Sequence, residues 1–396
     1  MMQISPETQL FIREHSSDDV RALALQAKKY PDIDMPTAIT QIAGRKVAAE
    51  KIPSWWEIEK IWYPKHLSLE QCSSEITARY KARLLQGDSL TDLTGGFGID
   101  CSFLATGFKS ATYVERQEEL CEIAAHNFPV LNLNHINIKN EDGVTYLQAM
   151  SPVDCLFLDP ARRNEHGGKT VAISDCEPNV AELEELLLQK ANRVMIKLSP
   201  MLDLSLALKE LKQTQEVHIL SVNNECKELL ILLGQTSPAE ISIHCVNLFT
   251  KGTQKEQHFV FTREQEQCSE CTYTDSLETY LYEPNASLLK AGAFRSIAAA
   301  YPVRKLHPNS HLYTSDTFIE NFPGRIFRIV NQCSFNKKEV KENLADLKKA
   351  NVTVRNFPAT VAELRKRIHL AEGGDTYLFA STLNNGQKVL IRCEKV

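Results

Sequence analysis

Between Gly87 and Gly234 short apolar runs alternate with helical stretches, and this rhythm constrains the fold more than any other feature of the chain. Uninterrupted apolar runs bounded by turn residues are how strands buried on both faces read. They predict strands at Ser89 to Leu93, Ala111 to Val114, Ile136 to Ile138, Val153 to Leu158, Val194 to Leu198, Val217 to Val222 and Leu229 to Leu233. Helices are expected over 101–105, 118–127, 144–150, 180–190 and 204–211. Such alternation builds a mainly parallel sheet covered on both faces, an α/β fold. Only residues 223–228 separate the last two strands, too few for a crossover helix, so a hairpin is expected there.

An open parallel sheet binds its ligand beyond the C-terminal ends of its strands, so the residues after each strand deserve inspection first. The first is followed by Asp92-Leu93-Thr94-Gly95-Gly96-Phe97-Gly98-Ile99-Asp100, an acid and then glycines that let the backbone approach a ligand and turn into a helix. Glu115 and Arg116 follow the second strand, and Glu115 can accept both hydrogen bonds of a ribose diol. Asp142, beside Glu141, follows the third and is placed to accept from an adenine amino group. Asp159-Pro160-Ala161-Arg162-Arg163 follows the fourth and Lys197-Leu198-Ser199-Pro200 the fifth.

A glycine-rich turn alone also suits a dinucleotide. Electrostatics separates the two readings. A pyrophosphate needs a helix N-terminus free of carboxylates, whereas Asp92 and Asp100 flank this turn, Cys101 stands at the third fingerprint position, and no Gly-Lys-Ser/Thr follows. A ligand carrying a sulfonium and an ammonium, S-adenosylmethionine, fits these carboxylates better. A parallel sheet closed by an antiparallel hairpin resembles the class I methyltransferase, Rossmann-like, sheet. The cofactor residues expected on this reading are Asp92, Thr94, Gly95, Gly96, Phe97, Gly98, Asp100, Glu115, Arg116 and Asp142.

Asp159-Pro160-Ala161-Arg162 is similar to the Asp/Asn-Pro-Pro-Tyr/Phe motif of amino-group methyltransferases, with Arg162 where the aromatic stands. A guanidinium plane can stack on a base or pair with a phosphate. The motif is equally similar to the Asp-Pro-Pro-Arg of RNA uracil-C5 methyltransferases, which need a cysteine nucleophile. Neither Leu198-Ser199-Pro200 nor the strand-four loop supplies one, which favours a heteroatom acceptor. Asp159, Pro160 and Arg162 are the expected catalytic residues, with Arg163 and Lys197 toward the substrate. In-line alignment of a nucleophile needs no metal, and none is expected.

The first 85 residues carry helical patterns only: 18–29, 35–50, 52–61 with Trp55-Trp56, and Ser68 to Leu85. The tryptophans suit a buried core better than a base-stacking platform, given the area they cover. The N-terminus shows neither a basic nor an apolar leader region, so a cytoplasmic location is expected. No apolar run reaches the ~18 residues of a membrane span, and eleven irregularly spaced cysteines read as reduced thiols. Cys268-Ser269-Glu270-Cys271 has no second pair at zinc-site spacing and is expected to be a loop. Two apolar runs, 241–249 and 258–261, predict a second hairpin.

Net charge is −5 over 396 residues, yet from Arg325 to Val396 there are 14 Lys and Arg against 7 Asp and Glu. A basic end inside an acidic chain points to a polyanion. This end reads β-α-β-α-β-β, with strands at 326–330, 352–355, 377–381 and 389–392 and helices at 337–350 and 361–369. Tyr282-Glu283-Pro284-Asn285-Ala286 with Lys290-Ala291-Gly292, the Asp159-Pro160-Ala161-Arg162-Arg163 string and the Ser73-Ser74 to Tyr80-Lys81-Ala82 helix together resemble a family of bacterial class I methyltransferases. That family carries a ferredoxin-like insert and a C-terminal THUMP-like domain. The resemblance implies four parts: a helical extension (1–85), a methyltransferase domain (86–275), a ferredoxin-like segment (276–324) and a basic α+β THUMP-like domain (325–396). It also implies RNA, tRNA or rRNA, as the partner, with Lys337, Lys338, Lys341, Lys348, Lys349, Arg365, Lys366 and Arg367 as phosphate contacts. Methylation of a protein or small molecule, and RNA binding without catalysis, remain open beside it.

Overall fold

In the computed structural model, which describes residues 4–162, 172–236 and 238–396, the first compact unit comprises 1–215 and 229–238. The side chains of His66 and Arg162 lie outside the description. The N-terminal helices start at side-chain caps and prolines: α1 (Pro6–Glu14) at Ser5, α2 (Val20–Leu25) at Asp19 and α3 (Met35–Lys51) at Asp34. Short α4 (Pro53–Trp56), α5 (His66–Gln71) and α6 (Glu75–Ala82) follow. The pattern over 68–85 had predicted one helix. The chain instead breaks at Cys72–Ser74, where tertiary hydrogen bonds described below outweigh helical continuity.

Strand and helix then alternate: β1 (Ser89–Asp92), α7 (Ile99–Ala105), β2 (Ser110–Glu115), α8 (Glu118–Val130), β3 (Ile136–Asn140), α9 (Gly143–Ala149) and β4 (Val153–Leu158). A two-residue ribbon, β5 (Ala161–Arg162) with β6 (Cys176–Glu177), precedes α10 (Val180–Lys190), β7 (Ala191–Leu198) and α11 (Leu204–Glu210). β3, β2, β1, β4 and β7 pair in parallel in that spatial order. Against β7 lies antiparallel Leu229–Gly234, the end of β9 (Glu225–Gly234). β4 and β7 are almost wholly buried, as the apolar runs required.

The helical extension shares a core with this sheet's helices. Ile52, Trp55, Ile61, Tyr63, Leu69 and Ala78 pack with Phe97, Ile99, Leu120 and Ile123. Trp55 is a core residue, as its size predicts, while Trp56 is exposed with Arg45 over its ring.

The second unit comprises 216–228 and 239–396. Residues 216–222 of β8 (Thr214–Val222) run parallel to β10 (Ser242–Leu248), which pairs antiparallel with β11 (Glu256–Thr262). Asn223 and Asn224, both at positive φ, form the two-residue turn between β8 and β9. After α12 (Arg263–Cys268) the chain builds a seven-stranded sheet from β12 (Tyr280–Pro284), β13 (Arg304–Lys305), β14 (Tyr313–Ser315), β15 (Gly324–Ser334), β16 (Lys349–Val354), β17 (Ala371–Thr382) and β18 (Lys388–Lys395), in the order β13-β14-β12-β15-β18-β17-β16. Helices α13 (Ala286–Ala291) and α14 (Ser296–Ala300) follow β12; α15 (Lys337–Leu344) and α16 (Val361–Ile368) follow β15 and β16. Leu344 and Leu364 meet in one core with Leu378 and Leu390, so α15 and α16 cover the same sheet face. The predicted helix 337–350 stops at Leu344, because Lys349 and the buried Ala350 open β16.

Candidate functional site

The turn after β1 is held from three sides, which explains its glycines. Thr94 N–H donates to Asp92 Oδ1 (3.0 Å) and Gly95 N–H to the Val114 carbonyl (2.8 Å). A Cβ on Gly95 would lie 2.3 Å from the Tyr113 ring, and the Tyr113 hydroxyl donates to the Gly96 carbonyl at 2.5 Å. Gly98, at φ +85°, opens α7 in the left-handed region that glycine tolerates best. From β4, Asp159 N–H donates to Thr94 Oγ1 at 2.6 Å. The glycine turn and the Asp159-Pro160 motif are therefore joined directly, and Pro160 is buried.

Glu115 closes the same turn from β2. Its Oε2 accepts from Gly96 N–H (2.9 Å) and its Oε1 from Gln117 N–H (2.8 Å). Each oxygen keeps a second lone pair, so acceptance from a diol is compatible with this geometry. Asp142 is exposed and caps α9, accepting from Val144 and Thr145 N–H through Oδ1 alone. Gly143 beside it was not anticipated, although a Cβ there would lie 2.2 Å from the Leu93 carbonyl. That close approach brings the loop after β3 against the end of β1.

Behind the turn lies a chain of alternating charges. Lys81, fully buried on α6, pairs with Asp100 Oδ1 at 3.0 Å. Ser73 donates to Asp100 Oδ2 at 2.7 Å and accepts from Lys81 at 2.9 Å. Lys197 lies 3.6 Å from Asp100 and forms an ion pair with Asp159 Oδ2. Asp159, with its side chain 36% exposed, is the outer end. Burial pushes the pKa of Asp100 up, but Lys81, Lys197 and the Ser73 hydrogen bond outweigh it and hold the carboxyl below its usual value.

Among the described residues no cation pairs with Asp92. It is wholly buried, and burial, with Asp100, Asp159 and Glu115 nearby, raises its pKa well above the usual carboxylate range despite the Thr94 hydrogen bond. Its Oδ2 has no hydrogen-bond partner among the described residues. Among the described residues Asp92, Asp100, Glu115 and Asp159 thus face Lys81 and Lys197, and Asp92 Oδ2 is left with neither a hydrogen bond nor a cation. The cluster is suited to a ligand that brings positive charge and a hydrogen-bond donor.

The remaining expected residues divide. Phe97 turns away from the glycine backbone into the core, 5.2 Å from the Trp55 ring centroid. Arg116 is exposed and pairs with Glu177 on the β6 ribbon at 3.3 Å. Arg163, and the side chain of Arg162, lie outside the described residues. In the second unit Lys337, Lys338, Lys341, Lys348, Lys349, Lys366 and Arg367 are exposed on or beside α15 and α16. Arg365 is half-buried against Glu372 at 3.4 Å, and Arg367 lies over the Phe335 ring. Ser73 and Lys81 were absent from the expected site. Their signal in the sequence is the Ser73-Ser74 to Tyr80-Lys81-Ala82 string, which contributes to the family resemblance without marking either residue as part of a site.

Five parallel strands in this order with an antiparallel neighbour, a glycine turn after the first and Asp-Pro after the fourth, define the class I methyltransferase fold. Comparison narrows this. Residues 280–323 match the family model of a ferredoxin-like domain, and residues 324–395 that of a THUMP-like domain. A Porphyromonas gingivalis W83 protein, crystallised and provisionally assigned as a methyltransferase, is 34% identical, with 100% of each chain covered and a TM-score of 0.87. The chain belongs to that family, class I methyltransferases with a small ferredoxin-like insert and a C-terminal THUMP-like domain. A provisionally assigned Streptococcus mutans methyltransferase in complex with SAH covers 40% of this chain and 96% of its own at 13% identity and a TM-score of 0.30. An rRNA methylase from Streptococcus thermophilus covers 40% of this chain and 93% of its own at 14% identity and a TM-score of 0.29. No curated protein matches the sequence.

Proposed function

We propose that the protein is an S-adenosylmethionine-dependent methyltransferase that modifies a nitrogen or other heteroatom of tRNA or rRNA. The hydrogen bond from Asp159 N–H to Thr94 Oγ1 carries this reading, because it ties the expected donor seat to the expected acceptor motif. The bound donor would supply an electrophilic methyl on a sulfonium. On this reading the Gly95-Gly96 backbone and Glu115 hold its nucleoside, Asp142 borders the base, and Asp92 Oδ2 meets its ammonium. Phe97 acts by packing the turn from behind, and Arg116 braces the β6 ribbon through Glu177.

Asp159 Oδ2 is taken by Lys197, so Oδ1 is the oxygen assigned to the acceptor. Oδ1 accepts the proton of the attacking nitrogen, with the Pro160 carbonyl as second acceptor. Lys197 and Asp100 fix the carboxylate's position. Most of the acceleration comes from alignment of the nucleophile with the methyl group. Arg162, Arg163 and the exposed cations of α15 and α16 contact the RNA backbone. A THUMP-like domain rich in basic residues supports that partner.

The test is incubation of the purified full chain with methyl-labelled donor and either total RNA or total protein from the source organism. Label is expected in RNA and absent with Asp159→Ala, while donor affinity stays within about threefold. Label in protein alone, or in neither, overturns the RNA reading. Loss of donor binding in Asp159→Ala overturns the role given to that residue.

A further inference from the structure

Unit two carries a cluster of imidazoles that methyl transfer does not use. His218 on β8 and His244 on β10 are direct register partners, and Glu216 precedes His218 by two residues. On β11, His258 is the partner of Val246. Side chains alternate along a strand, so Glu216, His218, His244 and His258 stand on one face of three neighbouring strands. They grade from the interior to solvent: His218 is buried, His244 and Glu216 are half-buried, and His258 is exposed.

The spacing is close to that of a coordination shell. One ligating atom from each of Glu216, His218 and His244 lies within 4.8 Å of the others. His218 Nε2 is 3.3 Å from Glu216 Oε2, and His244 Nδ1 is 3.2 Å from His258 Nε2. A tetrahedral ion bound at about 2.0–2.1 Å from each ligand sets its donors roughly 3.3–3.4 Å apart. Both pairs already sit near such an edge, with a shared proton or hydrogen bond where the ion would stand. The rings of His218 and His244 are stacked at 4.3 Å, so their lone pairs converge on one ion only after rotation about side-chain bonds.

We propose that Glu216, His218 and His244 bind a single divalent transition-metal ion, zinc by preference, with His258 as the fourth donor. Imidazole with one carboxylate selects zinc and its late first-row neighbours over magnesium or calcium. The ion would cross-link β8, β10 and β11. The proposal is independent of the methyl-transfer reading.

The experiment is titration of the metal-stripped full chain with Zn²⁺ by calorimetry, repeated with Co²⁺ by absorption spectroscopy. One zinc ion per chain is expected, as is a four-coordinate Co²⁺ spectrum without thiolate charge transfer. That last feature excludes Cys268 and Cys271 as the ligands. His244→Gln should weaken zinc by at least ~100-fold, the upper end of what even an outer partner of a metal ligand is worth. Glu216→Gln, on the neighbouring strand β8, repeats the test if His244→Gln does not fold. No saturable binding, a thiolate band, or unchanged affinity in a folded variant overturns the site.

Discussion

Lys81 and Lys366 are the same residue in opposite circumstances. Lys81 is fully buried on α6, 3.0 Å from Asp100 and hydrogen-bonded to Ser73. Lys366 stands exposed near the end of α16 with Arg365 and Arg367 on either side. A charge removed from water depends on a few fixed partners, so one substitution there has a large effect that salt barely screens. Exposed charges act on a polyanion together, weakly apiece and under strong screening. The proposed donor seat is built in the first way and the basic helices in the second.

The sharpest way to break this contrast is Lys81→Met. Removing one partner of a buried pair costs about 3–5 kcal/mol. Asp100 keeps Ser73 and Lys197, which places the expected loss of unfolding free energy near the lower end, about 3 kcal/mol. A denaturant midpoint unchanged from the parent's would show that Lys81 is no more coupled than Lys366. Next in size is Gly95→Ala. Its Cβ would enter the Tyr113 ring at 2.3 Å, so overpacking should cost about 1–3 kcal/mol and weaken donor binding together with stability. A tight donor complex in a destabilised variant would separate the turn from the site.

Titration gives a smaller effect of definite sign. The folded pKa of Asp92 is raised, so its contribution to stability is complete below the ordinary value of ~3.9 and is lost as pH rises through the raised value. A bound ammonium favours the ionised form. Donor binding should therefore tighten with pH across that window, by at most about tenfold per unit, and release protons. Calorimetry in two buffers of different ionisation enthalpy measures the release, and none would remove Asp92 from the contact. Smallest are the single changes Lys337→Ala, Lys341→Ala and Lys366→Ala. Each should leave stability within ~0.5 kcal/mol and lower the slope of log affinity for RNA against log salt by about 0.7–0.9. An unaltered slope for all three would place the RNA elsewhere.

The same contrast explains what could be read before folding. β4 and α10 occupy the residues expected of them, because buried parallel strands and amphipathic helices announce themselves in local pattern. Glu115, Asp142 and Asp159 could be named as candidates because strand ends mark where an open sheet takes its ligand. Ser73 and Lys81 were missed because their value comes from Asp100, more than a turn of sequence away and visible only once α6 packs on α7. Phe97 was expected at the ligand from its place among the glycines, yet the turn that exposes their backbone sends its side chain toward Trp55. The imidazole cluster was invisible for a related reason. Its residues come from three strands and match no zinc-site spacing, unlike the paired Cys268 and Cys271.

The central claim is that the buried carboxylates around the glycine turn hold S-adenosylmethionine. Calorimetric titration of the full chain with that ligand, beside Asp92→Asn and Glu115→Gln, tests it most directly. One saturable site is expected, with affinity reduced at least ~10-fold in each variant, since each removes a charged hydrogen bond worth about 1.5–3 kcal/mol. Absence of binding by the parent chain, or equal affinity in both folded variants, would contradict it.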